Sequence, residues 1–223
     1  MRPRVKKFPS LRIYITTCDI LVLRPLISML IQCDAPQFKA TACLPDNTFK
    51  EVSLADYKGK YVILYFWPAD FTFVCASETI AFHNQLKDFQ DREAVVLGVS
   101  CDTEFVHKAW KTTDKSHGGL GTAINHPLIA DVNKEISRAY DVLLPCGLPV
   151  RGVFLIGKDG KVRAELKNDL PLGRNVEEVL RLLDTVKTTD EHAGQVCPAN
   201  WKKDKPLMKA STEGVIEYLT KYT

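Results

Sequence analysis

The chain has 223 residues, of which 45% are hydrophobic, and a formal net charge of +3 at pH 7. This is enough apolar material for one domain with its own core and an appendage. Residues 1–30 alone carry a net charge of +5, so the rest of the chain is close to neutral and has no basic stripe. Nucleic acid is therefore excluded as an expected partner.

The seven cysteines form no dense or regular framework, which argues against the disulfide scaffold of a small secreted protein. No pair has the Cys-x-x-Cys spacing, and no group of cysteines and histidines has the spacing of a zinc site. We therefore expect mostly reduced thiols, no metal, no cofactor and a cytoplasmic location.

Residues 1–31 precede the compact part of the sequence and are interpreted as an N-terminal extension. Cationic residues followed by apolar ones are typical of a targeting segment. Because Arg24 and Pro25 interrupt the apolar run, it is too short to span a bilayer, and we expect no membrane association. The alternative, which we favour, is that these residues are a non-native, over-extended N-terminus and that Met29 is the true first residue.

From Phe49 onward, strand-like and helix-like segments alternate, as they do in a parallel sheet with crossover helices. The sequence predicts strands over 61–67, 94–100 and 126–130, a hairpin of 153–156 with 162–166, and helices over 77–91, from an N-cap at Asp102 to 110, over 133–140 and over 175–187. Together they predict an α/β, thioredoxin-like fold over residues 32–190, with a central mixed β-sheet flanked by helices. His107, Trp110 and His126 are expected to pack inside it.

Residues 191–223 differ from this pattern and are interpreted as a C-terminal arm. Pro198 and Pro206 flank a charged run, and a short amphipathic helix follows. Trp201 is expected to anchor the arm against a neighbour. Because the arm carries Cys197, its thiol can reach a partner.

Cys75 stands just beyond a predicted strand end. The buried strand 61–67 stops at Pro68, which cannot donate to a ladder, and an apolar stripe at helical spacing follows Cys75. A thiol in the first turn of a helix meets free backbone N–H groups and the positive end of the helix dipole, which favour thiolate over thiol. The sequence therefore predicts that Cys75 is a nucleophile.

Three stretches then stand out: Pro68 with Phe71-Thr-Phe-Val-Cys75, Arg151-Gly-Val-Phe-Leu-Ile156, and Gly194-Gln-Val-Cys-Pro198 with Trp201. On these stretches, the chain from about Asp34 to its C-terminus resembles the typical two-cysteine peroxiredoxins of the alkyl hydroperoxide reductase C and thiol-specific antioxidant family. The combination of Pro-x-x-x-Thr-x-x-Cys with a distant Val-Cys-Pro makes the resemblance specific.

The resemblance implies a thiol-dependent peroxidase for hydrogen peroxide and alkyl hydroperoxides. Cys75 would be the peroxidatic cysteine, which the peroxide oxidises to a sulfenic acid. Cys197 would be the resolving cysteine, which forms an intersubunit disulfide in a homodimer, and five dimers would form a decameric ring. Thioredoxin or a flavoprotein-linked dithiol donor would then reduce the disulfide.

Four further residues are assigned to the site. Thr72 would orient the peroxide through its hydroxyl, and Pro68 would shield the pocket without leaving an unsatisfied N–H. Arg151, the only good cationic candidate near the site, would stay charged, favour the thiolate and polarise the peroxide. Two interpretations of Glu78 stay open. It is either a first-turn carboxylate that interacts with the helix dipole or a support that holds an arginine in place.

Two departures from the family pattern are visible. Ala76 and Ser77 follow Cys75 where the family usually has proline and threonine. We expect this difference to affect the fine tuning of the site rather than to abolish its activity. Gly118-Gly-Leu-Gly121 resembles a loop of the peroxide-sensitive members, but Tyr218-Leu219 stands where they have Tyr-Phe. Sensitivity to overoxidation is therefore an open question.

Two other functions stay open on sequence alone. A ring-forming holdase chaperone also fits a thioredoxin-like subunit with an apolar C-terminal arm, and it should tolerate the loss of Cys75. A disulfide oxidoreductase without peroxidase chemistry is the third reading, and the lack of any Cys-x-x-Cys pair argues against it.

Overall fold

The computed structural model describes residues 29–121 and 124–222. Both interpretations of the N-terminal extension concern residues that lie almost entirely outside these ranges. Leu30 is already buried, and Ile31 pairs with Val162, so the compact fold includes residues just before position 32.

A seven-stranded mixed β-sheet forms the centre of the molecule. Its strands are β1 (Lys39–Cys43), β2 (Phe49–Ser53), β3 (Tyr61–Phe66), β4 (Ala94–Ser100), β5 (Leu128–Ala130), β6 (Arg151–Ile156) and β7 (Val162–Asn168), in the spatial order β2-β1-β5-β4-β3-β6-β7. The β3–β4 and β4–β5 pairs are parallel, and the other neighbours are antiparallel. The predicted mixed sheet and its β6–β7 hairpin are confirmed.

The helices of the described ranges are α1 (Phe73–Asn84), α2 (Leu86–Gln90), α3 (Glu104–Thr112), α4 (Glu135–Ala139), α5 (Val176–Glu191) and α6 (Thr212–Tyr222). The predicted helix over 77–91 is wrong in two respects, because α1 begins four residues earlier and Gln85 separates it from α2. The apolar stripe does not reveal the first turn, since Phe73 is 96% exposed. The stripe also continues across the break, because Leu86 and Phe89 are buried. Within these ranges, every helix is too short or too polar to cross a membrane.

The start of α3 lies one residue later than predicted. Thr103, not Asp102, is the N-cap, and its hydroxyl oxygen accepts a hydrogen bond from the Val106 N–H at 3.3 Å. The Asp102 carboxylate is engaged elsewhere, since it accepts hydrogen bonds from the Ser100 hydroxyl and from the Asp70 N–H. Aspartate is a preferred N-cap residue, but the Asp102 carboxylate binds the loop after β3 and does not cap α3.

Strand β3 is buried on both faces, as its continuous apolar sequence predicts. On one face Tyr65 stacks on Phe82 of α1, in a hydrophobic cluster that also includes residues of α5. On the other face Leu64 joins a separate cluster that reaches α4. The three residues predicted to pack inside the fold are all buried: His107, Trp110 and His126.

The C-terminal arm adds no strand to the main sheet within the described residues. It contains a short antiparallel ladder of β8 (Gln195–Val196) and β9 (Met208–Lys209), and then α6. The buried Trp201 donates its indole N–H to the Lys205 carbonyl at 2.9 Å, and its own carbonyl accepts from Arg181 of α5 at 3.1 Å. Trp201 therefore anchors the arm on its own chain, and its expected contact with a neighbour stays a prediction.

Gly98 occupies a position in β4 where no side chain fits. A Cβ atom there would lie 2.7 Å from Cζ3 of Trp67 and 2.8 Å from Cζ of Tyr65, and both rings are fully buried. We expect Gly98→Ala to lower the free energy of unfolding by about 1–3 kcal/mol, because the rings must leave their packed positions. Urea unfolding measures this loss.

Gly157→Ala is the matched control. A Cβ atom at Gly157 would meet the Asp159 and Arg163 side chains, of which the nearest atom is a carboxylate oxygen at 2.7 Å. Because these side chains can rearrange, the control should lose less stability. Equal losses for the two variants would contradict the packing argument.

Candidate active site

The loop between β3 and α1 brings Cys75 to the start of a helix. The buried Pro68 lies near the start of this loop. Phe71 then adopts a φ of +54°, which is unusual for a bulky side chain. Thr72 is extended, with φ −116° and ψ 170°, and forms the N-cap of α1. Cys75 is therefore in the first turn, as predicted, where backbone N–H groups lack helical acceptors.

The Cys75 sulfur lies between a hydroxyl and a guanidinium, and the residue as a whole is 1% exposed. Thr72 Oγ1 lies 3.0 Å from the sulfur and 2.7 Å from the Ala69 carbonyl oxygen. Because a hydroxyl has one proton, Thr72 donates to one of these neighbours at a time. Arg151 Nη1 lies 3.3 Å from the sulfur on another side. Such donors stabilise negative charge on the sulfur.

Arg151 is held rigidly at the start of β6. Its Nη1 lies 2.6 Å from Glu78 Oε2, and its Nε donates to the Leu170 carbonyl at 2.6 Å. Burial alone would lower the pKa of Arg151, but the hydrogen bond to Cys75 and the charge of Glu78 outweigh it and raise the pKa. The guanidinium therefore stays charged beside the sulfur.

Glu78 binds a second arginine, which the sequence analysis did not single out. Arg174 donates to Glu78 Oε1 from its main-chain N–H and from Nε, both at 2.8 Å, and to Oε2 from Nη2 at 2.8 Å. Its remaining nitrogen, Nη1, donates to the Phe66 and Gly152 carbonyls at 2.7 Å. The expectation that Arg151 is the only good cation near the site is therefore wrong.

The environment of Glu78 favours its ionised form. Burial opposes ionisation, but the hydrogen bonds and charge of Arg174, together with the charge of Arg151, hold the pKa of Glu78 below its usual value. Glu78 therefore holds the arginines in place, which is the second of the two interpretations that the sequence left open. Two guanidiniums and one carboxylate leave an excess positive charge next to Cys75, and a negatively charged sulfur would balance it.

One local signal could have identified Arg174. It directly precedes Asn175, whose side chain caps α5 by accepting hydrogen bonds from two main-chain N–H groups. A residue placed just before a well-capped helix has a fixed backbone position, so its long side chain can serve a buried site. Its partner Glu78 is 96 positions away in the sequence, and no local pattern links the two.

Cys197 lies on the arm and apart from the sulfur of Cys75. Its Sγ is 3.9 Å from the Thr185 carbonyl oxygen of α5, and both cysteines are free thiols. Burial raises the pKa of Cys197, although the charge of Arg181 opposes the shift. The structure therefore brings Thr72, Cys75, Arg151 and Glu78 into one site, with Pro68 in the same loop, and leaves Cys197 on the arm.

The buried Cys43 and the partly buried Cys101 have environments that disfavour the thiolate. Burial raises the pKa of Cys43 and of Cys101. Neither thiol has a guanidinium hydrogen-bonded to it, as Cys75 does. Across residues 29–121 and 124–222, no three histidine, cysteine or acidic side chains are grouped to hold a metal ion.

The departure after Cys75 fits the helix. Ser77 donates its hydroxyl proton to the Val74 carbonyl at 2.7 Å, within the first turn of α1. Ala76 is partly buried and packs against the hydrophobic cluster of that face of the sheet. Neither residue interrupts α1.

Comparison with known proteins gives matches along most of the chain. The model of the AhpC/TSA family matches residues 31–165, and that of the C-terminal domain of 1-Cys peroxiredoxin matches residues 186–221. Peroxiredoxin-2 of Macaca fascicularis is 50% identical over 84% of this chain and 94% of its own length. Alkyl hydroperoxide reductase C of Helicobacter pylori is also 50% identical, over 86% of this chain and 96% of its own length.

A solved structure shows the same similarity in three dimensions. The reduced 2-Cys peroxiredoxin of Plasmodium vivax superposes with a TM-score of 0.84 at 44% identity and covers 86% of this chain and 99% of its own. The family model spans more than half of the chain, and the relatives align over nearly all of their own lengths. The chain therefore belongs to the AhpC/TSA family and is a peroxiredoxin.

Proposed function

We propose that the protein is a thiol-dependent peroxidase that reduces hydrogen peroxide and alkyl hydroperoxides through Cys75. The observation that carries the proposal is the position of one buried sulfur, in the first turn of α1, between the Thr72 hydroxyl and the Arg151 guanidinium. Because this site concentrates hydrogen-bond donors around a nucleophile, it suits a reaction in which negative charge moves from sulfur to oxygen.

In the first step the Cys75 thiolate attacks the terminal peroxide oxygen. A sulfur–oxygen bond forms, the oxygen–oxygen bond breaks, and the leaving oxygen takes up a proton and departs as water or an alcohol. The sulfur loses two electrons and becomes a sulfenic acid. Arg151 and the free N–H groups of the first turn stabilise the charge that develops on the leaving oxygen.

Two neighbours complete the pocket. The Thr72 hydroxyl can accept a hydrogen bond from the peroxide or donate one to the sulfur, which orients the reacting oxygen. Pro68 is buried in the same loop and presents no N–H group to the pocket, so it can exclude water without an unsatisfied donor.

In the second step Cys197 of another subunit attacks the sulfenic acid, water leaves, and an intersubunit disulfide forms. The Cα atoms of a disulfide lie within about 7 Å of each other, so the buried Cys75 has to move toward the arm. Unwinding of the first turn of α1 is the proposed route. The high exposure of Phe73, at 96%, supports it, because little packing is lost when this turn opens.

An external dithiol must then return the disulfide to two thiols, and we propose thioredoxin or a flavoprotein-linked donor for this reaction. A homodimer follows from the intersubunit disulfide, and a ring of five dimers is the larger assembly that we propose. The irregular set of cysteines supports a cytoplasmic location.

Non-reducing electrophoresis tests the roles of the two cysteines. After one equivalent of hydrogen peroxide, the wild type should run as a covalent dimer. Cys75→Ser and Cys197→Ser should both run as monomers, because each lacks one end of the disulfide. A dimer from either single variant would contradict the assignment. Cys146→Ser, which changes an exposed cysteine, is the control that should dimerise like the wild type.

Hydrogen exchange tests the unwinding of α1. We expect the amides of residues 77–80 to exchange faster once the disulfide has formed, because the helical hydrogen bonds that they donate to the carbonyls of the first turn must open. The amides of α5 should keep their protection. Cys197→Ser treated with the same peroxide should show no acceleration, and unchanged exchange in the oxidised wild type would refute the movement.

The Glu78 carboxylate gives a stability test with a defined pH dependence. Glu78→Gln leaves two buried guanidiniums without their anion, so we expect it to lower the free energy of unfolding at pH 7 by about 3–5 kcal/mol. The pKa of Glu78 in the folded protein lies below its ordinary value of 4.5, so the unfolded state binds the proton first as the pH falls. The difference from wild type should therefore shrink below about pH 4.5.

Urea unfolding at several pH values measures this difference. Glu93→Gln is the control, because Glu93 also pairs with two cations, Lys158 and Lys187, but on the exposed surface. It should cost clearly less stability. A Glu78→Gln variant as stable as wild type at pH 7, or a difference that is the same at pH 7 and pH 3, would show that the carboxylate does not hold the arginines together.

A further inference from the structure

A buried carboxyl–imidazole pair that the proposed reaction does not use connects the loop that carries Thr72 to α3. Asp70 Oδ2 is 2.8 Å from Nδ1 of His107, and both side chains are 0% exposed. The other carboxylate oxygen, Oδ1, accepts the indole N–H of Trp67 at 2.9 Å. A carboxylate with this burial and these partners has a specific structural task, since burying a charge is costly unless it is fully paired.

The contacts of His107 define the protonation of the pair. Its Nε2 is 3.2 Å from the Ile129 carbonyl oxygen, which can only accept, so Nε2 carries a proton. One further proton lies between Nδ1 and Asp70 Oδ2, on either atom. Burial raises the pKa of Asp70, although the hydrogen bond and charge of His107 oppose the shift. The pair is thus neutral as a whole, and each of its polar atoms has a partner.

The main chain of Asp70 is fixed as well. Its N–H donates to Asp102 Oδ2 at 2.9 Å, and the same oxygen accepts the Ser100 hydroxyl at 2.7 Å. Asp70 is therefore attached through its side chain to α3 and through its backbone to the segment after β4. These attachments fix the middle of the loop between β3 and α1.

The two residues next to Asp70 determine where Thr72 lies. The preceding Ala69 supplies the carbonyl oxygen that accepts the Thr72 hydroxyl proton at 2.7 Å. The following Phe71 has a φ of +54° and is 43% exposed, and its ring lies 6.4 Å from that of the buried Trp110, so its own packing holds this unfavourable conformation only in part. The anchored Asp70, which directly precedes it in the chain, is the second support of this conformation.

We infer that Asp70 and His107 are positioning residues that hold the Ala69–Thr72 turn, so that the Thr72 hydroxyl stays within reach of the Cys75 sulfur. The inference rests on the proposed function, because it assigns the pair to the reaction of Cys75 with peroxide. Neither residue contacts the sulfur. Their effect passes through Thr72.

The test is the rate at which the reduced protein reacts with hydrogen peroxide in a single turnover. Asp70→Ala removes the anchor, and we expect it to slow Cys75 oxidation by about 10- to 100-fold, because a misplacement of about 1 Å at a reaction centre can cost about 100-fold. Asp70→Asn should recover most of the rate. Its amide can donate to Nδ1 of a neutral His107, and its oxygen can still accept from Trp67.

A double-mutant cycle with Thr72→Val separates positioning from general damage. If Asp70 acts through Thr72, then adding Asp70→Ala to Thr72→Val should change the rate by no more than about twofold. An equal loss in the Thr72→Val protein and in the wild type would overturn the inference, as would an Asp70→Ala protein that reacts at the wild-type rate.

Two further variants guard against a folding defect. His107→Gln keeps an amide near Nε2 for Ile129 and loses the contact with Asp70, so it should show the same loss of rate as Asp70→Ala. Asp131→Asn is the matched control, because Asp131 is equally buried but accepts hydrogen bonds from Ile136 and Ser137 at the start of α4. It should lower the melting temperature without slowing the peroxide reaction.

A loss of rate in the Asp131→Asn protein as large as that of Asp70→Ala would also overturn the inference, since any destabilised protein would then react slowly. The proposed function fails separately, if the wild-type protein does not react with peroxide through Cys75. An active wild type with an unimpaired Asp70→Ala variant would refute the positioning role alone.

Discussion

The active site depends on one buried carboxylate that binds two guanidiniums. Glu78 lies one helical turn after Cys75, and its oxygens join α1 to Arg151 of β6 and to Arg174 before α5. An isolated charge in this interior would be strongly unfavourable, and the three charges are tolerated because each has hydrogen-bonded partners. The orientation of α1, and with it the position of the sulfur, follows from this pairing.

A second set of buried polar contacts holds the other end of the same segment. Asp70 is bonded to His107, Trp67 and Asp102 on the N-terminal side of Cys75, as Glu78 is bonded to its arginines on the C-terminal side. Between these two residues Phe73 is 96% exposed and Phe71 is 43% exposed, whereas Cys75 is buried. The segment thus combines strongly held ends with two loosely packed aromatic side chains, which suits a site that must be ordered for one step and open for the next.

The sequence predicted those parts of the molecule that depend on local patterns. Strand β3 is a continuous apolar run that ends before Pro68, so the strand and a helix that follows it closely could both be inferred, although α1 begins four residues before its predicted start. The partners of buried charges could not be inferred in this way. Glu78 and Arg174 are 96 positions apart, and the tertiary fold alone brings them together. The break at Gln85 was missed because apolar residues at helical spacing lie on both sides of it.

The contacts of Glu78 also limit the distance that the oxidised Cys75 can move. Cys75 lies three residues before Glu78, and a fully stretched chain of that length spans roughly 10 Å. If Glu78 stays in place, the Cα atom of Cys75 cannot travel further than this from the Cα atom of Glu78, and the reach of the sulfur exceeds this limit only by the length of its own side chain. In the proposed reaction, the second subunit must present Cys197 within that reach. Subunits that meet a few ångströms out of alignment would leave a sulfenic acid without its reducing thiol, and a further peroxide molecule would then convert it to the sulfinic acid.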